Sequence, residues 1–416
     1  MNVSIVIPAW NLWEVTASCL RSLALHDDGM QVVVVDNGST DATRTDLEPL
    51  GTALFGTRFL RVRLPENRGF AAGCNAGARA AGGGALLFLN NDTLATPGWL
   101  PPLKEALNTP GTGAVGPLLL YPDGRTQHCG VSFTPLGGVK HLYADFPGDH
   151  PAVRRAHPLQ AITGAALLLR RTDFEAAGGF CEDYANGYED LDLCFTLRQR
   201  GLSLAVVAAS TVIHAESRTP GRHERTAANA MLFGQRWGRD VRPDFHRQVD
   251  LDGYETRLNA QGVSYAVPPP ERERALSARW GGAGASERHL RAALHEEPLW
   301  QEGHLLLGRL LAARNAWPEA LEAAGLALRL LPTPEMARLL LRAAQGGGQR
   351  ERAADIAASL RPDAAALSAC ARRVRARLEQ AAAWNDPALE RLCAGWLRAY
   401  GGGRSAAVNR TQEKTS

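Results

Sequence analysis

Lysine is nearly missing from this chain: Lys104, Lys140 and Lys414 are the only three in 416 residues, so arginine supplies almost all of the 46 basic side chains. A bias this general lowers the weight of any single arginine. A dominant charge is missing too. The 46 basic residues face 43 acidic ones, for a formal charge of +3, which excludes the basic footprint of a nucleic-acid binder. No Cys-x-x-Cys pair occurs among the seven cysteines, which read as reduced structural thiols of a cytosolic chain. No apolar run approaches the roughly 18–20 residues of a membrane span. The opening Met1-Asn2-Val3-Ser4 has no basic flank of a signal peptide and reads as the entry to a strand. The expectation is a soluble protein, at most peripheral to a membrane. Neither a dinucleotide fingerprint nor a P-loop is present, since Gly73 and Gly77 are wrongly spaced and no Gly-Lys-Ser/Thr follows. A nicotinamide enzyme is therefore not expected.

What is present suffices for two domains, with 45% apolar and 21% charged residues in 416. Short apolar runs at 3–7, 31–35, 59–64 and 85–89 alternate with helical patterns, as in a doubly wound parallel sheet. Past Pro97 the pattern loosens into strand-like pieces at 113–120, 130–133, 165–170 and 204–207, with a short helix at 172–177. From about residue 250 the chain turns helical and rich in Ala, Leu and Arg. Ala293-Leu294 and Pro298 recur as Ala327-Leu328 and Pro332, a shift of 332 − 298 = 34 residues, the period of a tetratricopeptide repeat. The expected organisation is a catalytic domain at 1–245, a linker at 246–270, a repeat domain at 271–400 and a disordered tail at 401–416.

Polar residues gather where the strands end. The run Ala85-Leu86-Leu87-Phe88-Leu89 stops at Asn90-Asn91-Asp92-Thr93, at the carboxyl edge where open α/β sheets bind ligands. A carboxylate with oxygen neighbours there suits a hard divalent cation carrying a diphosphate, although Asn and Asp also favour plain turns. Trp10 and Asp36 end the first two strands at the same edge. An indole can stack on a nucleobase and a carboxylate can accept an imide N–H, but core packing and a turn explain them equally well. Glu189, Asp190 and Asp192 precede a helix, either as complements to its dipole or with one of them as a general base. His214 is a lone imidazole, more often structural than metal-bound.

Taken in order, Ser4-Ile5-Val6-Ile7-Pro8-Ala9-Trp10-Asn11, Val35-Asp36-Asn37-Gly38-Ser39-Thr40-Asp41, Glu66-Asn67-Arg68-Gly69-Phe70, Leu89-Asn90-Asn91-Asp92-Thr93, Gly178-Gly179-Phe180 and Tyr188-Glu189-Asp190-Leu191-Asp192-Leu193-Cys194 resemble family-2 glycosyltransferases. The set covers roughly residues 1–240 and looks most like the bacterial rhamnosyltransferase-like branch, with Asn-x-Asp for Asp-x-Asp. The resemblance implies an α/β GT-A-type (Rossmann-like) mixed sheet with helices on both faces, followed here by the all-α tetratricopeptide-like domain. It implies inverting transfer of one sugar from a UDP- or dTDP-linked donor to a glycan, lipid-linked or protein acceptor, in cell-surface polysaccharide or glycoconjugate synthesis. Asp36 would bind the base, framed by Pro8 and Trp10, with Asn67, Arg68, Asn75 and Asn91 beside the nucleotide sugar. Asp92 would hold Mg²⁺ or Mn²⁺ with His214. Asp190 would be the base and Glu189 an acceptor contact. Processive members carry Gln-x-x-Arg-Trp; here Arg236-Trp237 remains but Phe233 replaces the Gln, pointing to single addition. The enzyme is expected in the cytoplasm or at the cytoplasmic face of the membrane, with a possible protein partner on the repeats. The competing reading is an inactive sugar-nucleotide-binding scaffold whose repeats bind that partner.

Overall fold

The computed structural model describes residues 2–215, 226–282, 285–360 and 363–401, which form two compact units. The first comprises residues 1–132 and 140–242, the second residues 133–139 and 243–416.

The first unit opens with β1 (Val3–Ala9), α1 (Trp13–Leu25), β2 (Gln31–Asn37), α2 (Thr43–Phe55), β3 (Phe59–Leu64), α3 (Gly69–Ala80) and β4 (Ala85–Leu89). There follow β5 (Thr93–Ala95), α4 (Leu100–Asn108), β6 (Thr112–Leu120), β7 (Thr126–His128), β8 (Val131–Phe133) and β9 (Val139–His141). α5 (Pro151–Arg154), β10 (Ala166–Arg170), α6 (Arg171–Ala176), α7 (Glu189–Gln199), β11 (Ser203–His214) and α8 (Thr226–Trp237) complete the series. The main sheet runs β3-β2-β1-β4-β10-β6-β11-β5, with β7 on β6. β1 to β4 are parallel, and β10 enters antiparallel between β4 and β6, so the sheet is mixed.

β1, β2, β4 and β10 are buried on both faces, which is why they read as nearly unbroken apolar runs. Ile5, Ile7, Val32, Val34, Leu87 and Leu89 pack against Cys19, Leu20 and Leu23 of α1, Leu47 of α2 and Leu103 of α4. On the other face Phe88 meets Phe174 and Phe180, each at 4.8 Å between ring centroids. Among the small residues of α3, Gly77 serves packing. A Cβ there would lie 2.4 Å from Val6 Cγ1 and 2.8 Å from Val35 Cγ2.

The chain winds β1-β2-β3 to one side and returns to place β4 on the other side of β1. The topological switch point therefore falls between β1 and β4, where Trp10 and Asn90-Asn91-Asp92 emerge. β11 runs twelve residues rather than ending at 207. An irregularity between Val207 and Thr211 absorbs Ala208-Ala209-Ser210, and the β-branched Thr211-Val212-Ile213 resume pairing as far as His214.

The second unit holds α9 (Phe245–Leu251), β12 (Glu255–Leu258), β13 (Ser264–Val267) and α10 (Pro270–Trp280). Then follow α11 (Glu287–Glu296), α12 (Gln301–Ala313), α13 (Trp317–Leu330), α14 (Pro334–Gly346), α15 (Arg350–Ser359), α16 (Ala364–Ala383) and α17 (Pro387–Tyr400). Residues 246–270 are not the linker the sequence suggests. They fold as a helix and a β-hairpin, with Leu258 facing a core of Val374, Leu389, Cys393 and Trp396. Pro268-Pro269-Pro270 closes that hairpin and starts α10, where a proline at the first helical position loses no hydrogen bond. From α11 to α17 all structure is helical. The tail expected beyond residue 401 lies outside the described residues.

Candidate active site

The loop after β1 follows a left-handed course at Asn11 (φ 55°) and Leu12 (φ 55°), unfavourable for residues with a Cβ. Ties to the loop after β2 hold it. Asn11 Oδ1 accepts from Thr40 N at 2.8 Å, Ser39 Oγ accepts from Asn11 N at 2.9 Å, and Asp41 Oδ2 accepts from Trp13 N at 3.0 Å. Trp10, 39% exposed, is thereby left as an open aromatic face at the sheet edge and not a core residue. Pro8, two residues earlier on β1, lies close to Gly73 of α3.

Asp36 behaves differently. Its carboxylate is fully buried: Oδ1 accepts from Ser39 N at 2.8 Å, and Oδ2 takes Arg61 Nη2 at 2.6 Å and Arg63 Nη1 at 2.7 Å. Burial pushes its pKa up, but the hydrogen bonds from Arg61 and Ser39 and the charge of Arg63 outweigh it and hold the carboxyl below the usual range. Arginines 61 and 63 were not singled out from the sequence, because they lie within a strand pattern. Asp36→Ala leaves two guanidiniums facing a void and should cost about 3 kcal/mol of stability, measured by urea denaturation.

Asn37 organises the third loop. Its Nδ2 donates to Asn67 Oδ1 and Gly69 O, both at 3.0 Å, and its Oδ1 accepts from Arg68 N at 3.0 Å. The Arg68 guanidinium stays largely exposed, 3.4 Å from Glu182. Asn75 and Asn91 are turned elsewhere. Asn75 clamps Phe180, donating to its carbonyl at 2.9 Å and accepting its N–H at 3.0 Å. Asn91 donates to Thr16 Oγ1 of α1 at 2.8 Å. These amides fasten the scaffold.

At the switch point Asp92 Oδ1 lies 2.9 Å from His214 Nε2, with both side chains buried. His214 Nδ1 lies 2.5 Å from Gln127 Oε1. An amide oxygen can only accept, so Nδ1 donates to Gln127, which fixes the ring with Nε2 facing the carboxylate. Asn90 Nδ2 lies 3.3 Å from the same nitrogen. One carboxylate and one oriented imidazole fit a divalent cation such as Mn²⁺ or Mg²⁺, and two protein donors leave coordination positions for a diphosphate. Among the described residues no group of three or more His, Cys, Asp or Glu gathers as a metal cluster.

The three acidic residues starting α7 divide their tasks. Glu189 is buried and its Oε2 accepts from Gly187 N at 2.6 Å. Asp192 is a buried hub for Trp237 Nε1 at 2.7 Å, Arg236 Nε at 2.9 Å and Tyr184 OH at 3.1 Å. This gives Arg236-Trp237 a structural role. Phe233, in place of the Gln, packs on Tyr188 and Phe195 at 5.6 and 5.4 Å. Asp190 alone is half-exposed, its Oδ2 accepting from Gly164 N at 2.8 Å and its Oδ1 from Leu191 N at 2.9 Å. The next residue, Ala165, accepts from Asn90 N at 2.9 Å. One dipeptide thus ties Asp190 to the Asn90–Asp92 turn. Nearby thiols offer no nucleophile, since burial pushes Cys19 and Cys194 each up to about 12.

The family model described as glycosyl transferase family 2 matches residues 4–176. An N-acetylglucosaminyl-diphospho-decaprenol L-rhamnosyltransferase of Mycobacterium tuberculosis is 30% identical over 230 residues, covering 49% of this chain and 72% of that protein. The chain belongs to glycosyltransferase family 2. Two other relatives are longer than this glycosyltransferase. It is 33% identical to protein y4gI of Sinorhizobium fredii over 243 residues, 56% of this chain and 26% of that one. It is 30% identical to the O-antigen biosynthesis protein RfbC of Myxococcus xanthus over 224 residues, 52% of this chain and 17% of that one. The matched segments of this family-2 glycosyltransferase therefore span only about a quarter and a sixth of those two relatives.

Proposed function

We propose that this chain transfers a single sugar, with inversion, from a UDP- or dTDP-linked donor to a hydroxyl of a glycan, lipid-linked or protein acceptor. The observation that carries the reading is the half-exposed Asp190 carboxylate, tied through Gly164-Ala165 to the Asp92–His214 pair at the sheet's switch point. Trp10 stacks the base and Asn67 and Arg68 line the nucleotide. Asp36 acts at the base only if its arginine pairs yield. Asp190 accepts the proton of the acceptor hydroxyl while that oxygen bonds to the anomeric carbon. The bond from that carbon to the diphosphate oxygen breaks on the opposite face, and the nucleoside diphosphate leaves with the electron pair. Asp92 and His214 would hold Mg²⁺ or Mn²⁺, which offsets charge on that leaving group. Glu189, buried beside Asp190, shapes the loop that presents the base.

The named activities of the rhamnosyltransferase and O-antigen relatives support a role in bacterial cell-surface polysaccharide or glycoconjugate synthesis. No helix among the described residues is long and apolar enough to cross a membrane. The helical unit is the module that docks an acceptor or protein partner. The test is release of nucleoside diphosphate from UDP- and dTDP-sugars with Mn²⁺. Release from at least one donor, abolished by chelation, is expected, and silence across all of them would leave only the scaffold reading.

A further inference from the structure

Three consecutive residues before Glu189 follow a left-handed course: Asn186 (φ 55°), Gly187 (φ 127°) and Tyr188 (φ 77°). Only the middle one is glycine, so the run is strained and persists only if its surroundings impose it. Tyr188 is also the N-cap residue immediately before α7, so the course of 187–188 sets the direction in which Glu189 and Asp190 leave.

A side chain from α8 braces that stretch from outside the loop. Asn229 of α8 is buried, and its Nδ2 donates to Ala185 O at 3.1 Å and Gly187 O at 2.9 Å, while its Oδ1 accepts from Ala185 N at 3.3 Å. Asn229, Phe233 and Trp237 are the buried residues of α8, spaced at i, i+4 and i+8, so they share one face of the helix. Phe233 meets Tyr188 and Trp237 meets Asp192. The two aromatics hold the flanks by packing and one hydrogen bond. Asn229 holds the Gly187 carbonyl and both polar backbone groups of Ala185, while Glu189 Oε2 takes the Gly187 N–H.

We propose that Asn229 is a positioning residue for the base, holding 185–187 so that Asp190 meets the acceptor hydroxyl. This rests on the reading of Asp190 as base. It differs from a packing role because the amide spends three hydrogen bonds on the backbone of one three-residue stretch. Asn229→Asp keeps the size and the acceptor but turns the donor into a second acceptor facing two carbonyls. Asn229→Ala removes all three bonds.

The experiment measures nucleoside diphosphate release from UDP-glucose, UDP-N-acetylglucosamine and dTDP-rhamnose with Mn²⁺, water taking the sugar in place of the acceptor hydroxyl, and follows the donor that the unmodified protein turns over fastest. Both variants should lose at least about 30-fold in kcat, the scale of a small misplacement of a catalytic group, with donor KM within about threefold, each assayed well below its own melting midpoint, which falls because buried hydrogen bonds are lost. A kcat within threefold of the unmodified protein overturns the proposal. So does a loss in which donor KM rises in step with the fall in kcat, since that marks a general structural role. Asp190→Asn in the same assay separates the two ideas. If it keeps its turnover, the base reading falls and the positioning role with it. If it is inactive while Asn229→Asp works normally, only the positioning role falls.

Discussion

Asp190→Asn should lower kcat by about 10³-fold while donor affinity stays within about threefold, because a positioned general base contributes 10² to 10⁴ to such a step. The amide keeps the shape and its single oxygen can still accept from Gly164 N or from Leu191 N, which bond to different carboxylate oxygens, so the loop should survive with one hydrogen bond lost. What it loses is a carboxylate able to take a proton. Turnover on any donor, with binding followed by calorimetry in the presence of Mn²⁺, measures both halves. Near-normal turnover would remove Asp190 from the chemistry. Lost donor binding would recast it as a donor contact.

Asp92→Ala should abolish the enhancement of donor binding by Mn²⁺. Asp92 is the carboxylate facing the His214 imidazole, so its loss leaves one neutral nitrogen as the local protein donor at that point. Donor affinity with Mn²⁺ should fall at least about 30-fold, roughly 2 kcal/mol, to the level seen with chelator. His214→Ala should follow it more mildly, having kept the carboxylate. If Asp92→Ala binds donor equally well with and without metal at the unmodified affinity, the pair is a structural ion pair and nothing more.

Much of this was legible in the sequence, for a physical reason. Strands buried on both faces leave unbroken apolar runs, so the polar residues ending them at Trp10, Asp36 and Asp92 stand out, and β1 to β4 fall where those runs predict. Which way a polar side chain turns is not legible. Asn91 and Asp92 are neighbours in one tetrapeptide, yet Asn91 reaches back to Thr16 while Asp92 meets His214. Asp190 and Asp192 start the same helix, but only Asp190 is left half-exposed. Gln127 gave no signal, because its meaning lies in a hydrogen bond to a residue 87 positions away. The hairpin at 255–267 was hidden by its polar outer positions, and Arg61 and Arg63 by the strand that carries them.

The dipeptide Gly164-Ala165 has one more consequence. It holds the Asp190 carboxylate through one N–H and the Asn90–Asp92 turn through the adjacent carbonyl. A thermal displacement of that dipeptide carries the Asp190 carboxylate and the Asn90–Asp92 turn in the same direction. Their separation is then steadier than the position of either, as with two instruments bolted to one bench rather than to two walls. Vibration of the bench changes where the reaction happens in space, but little of the alignment between its two ends.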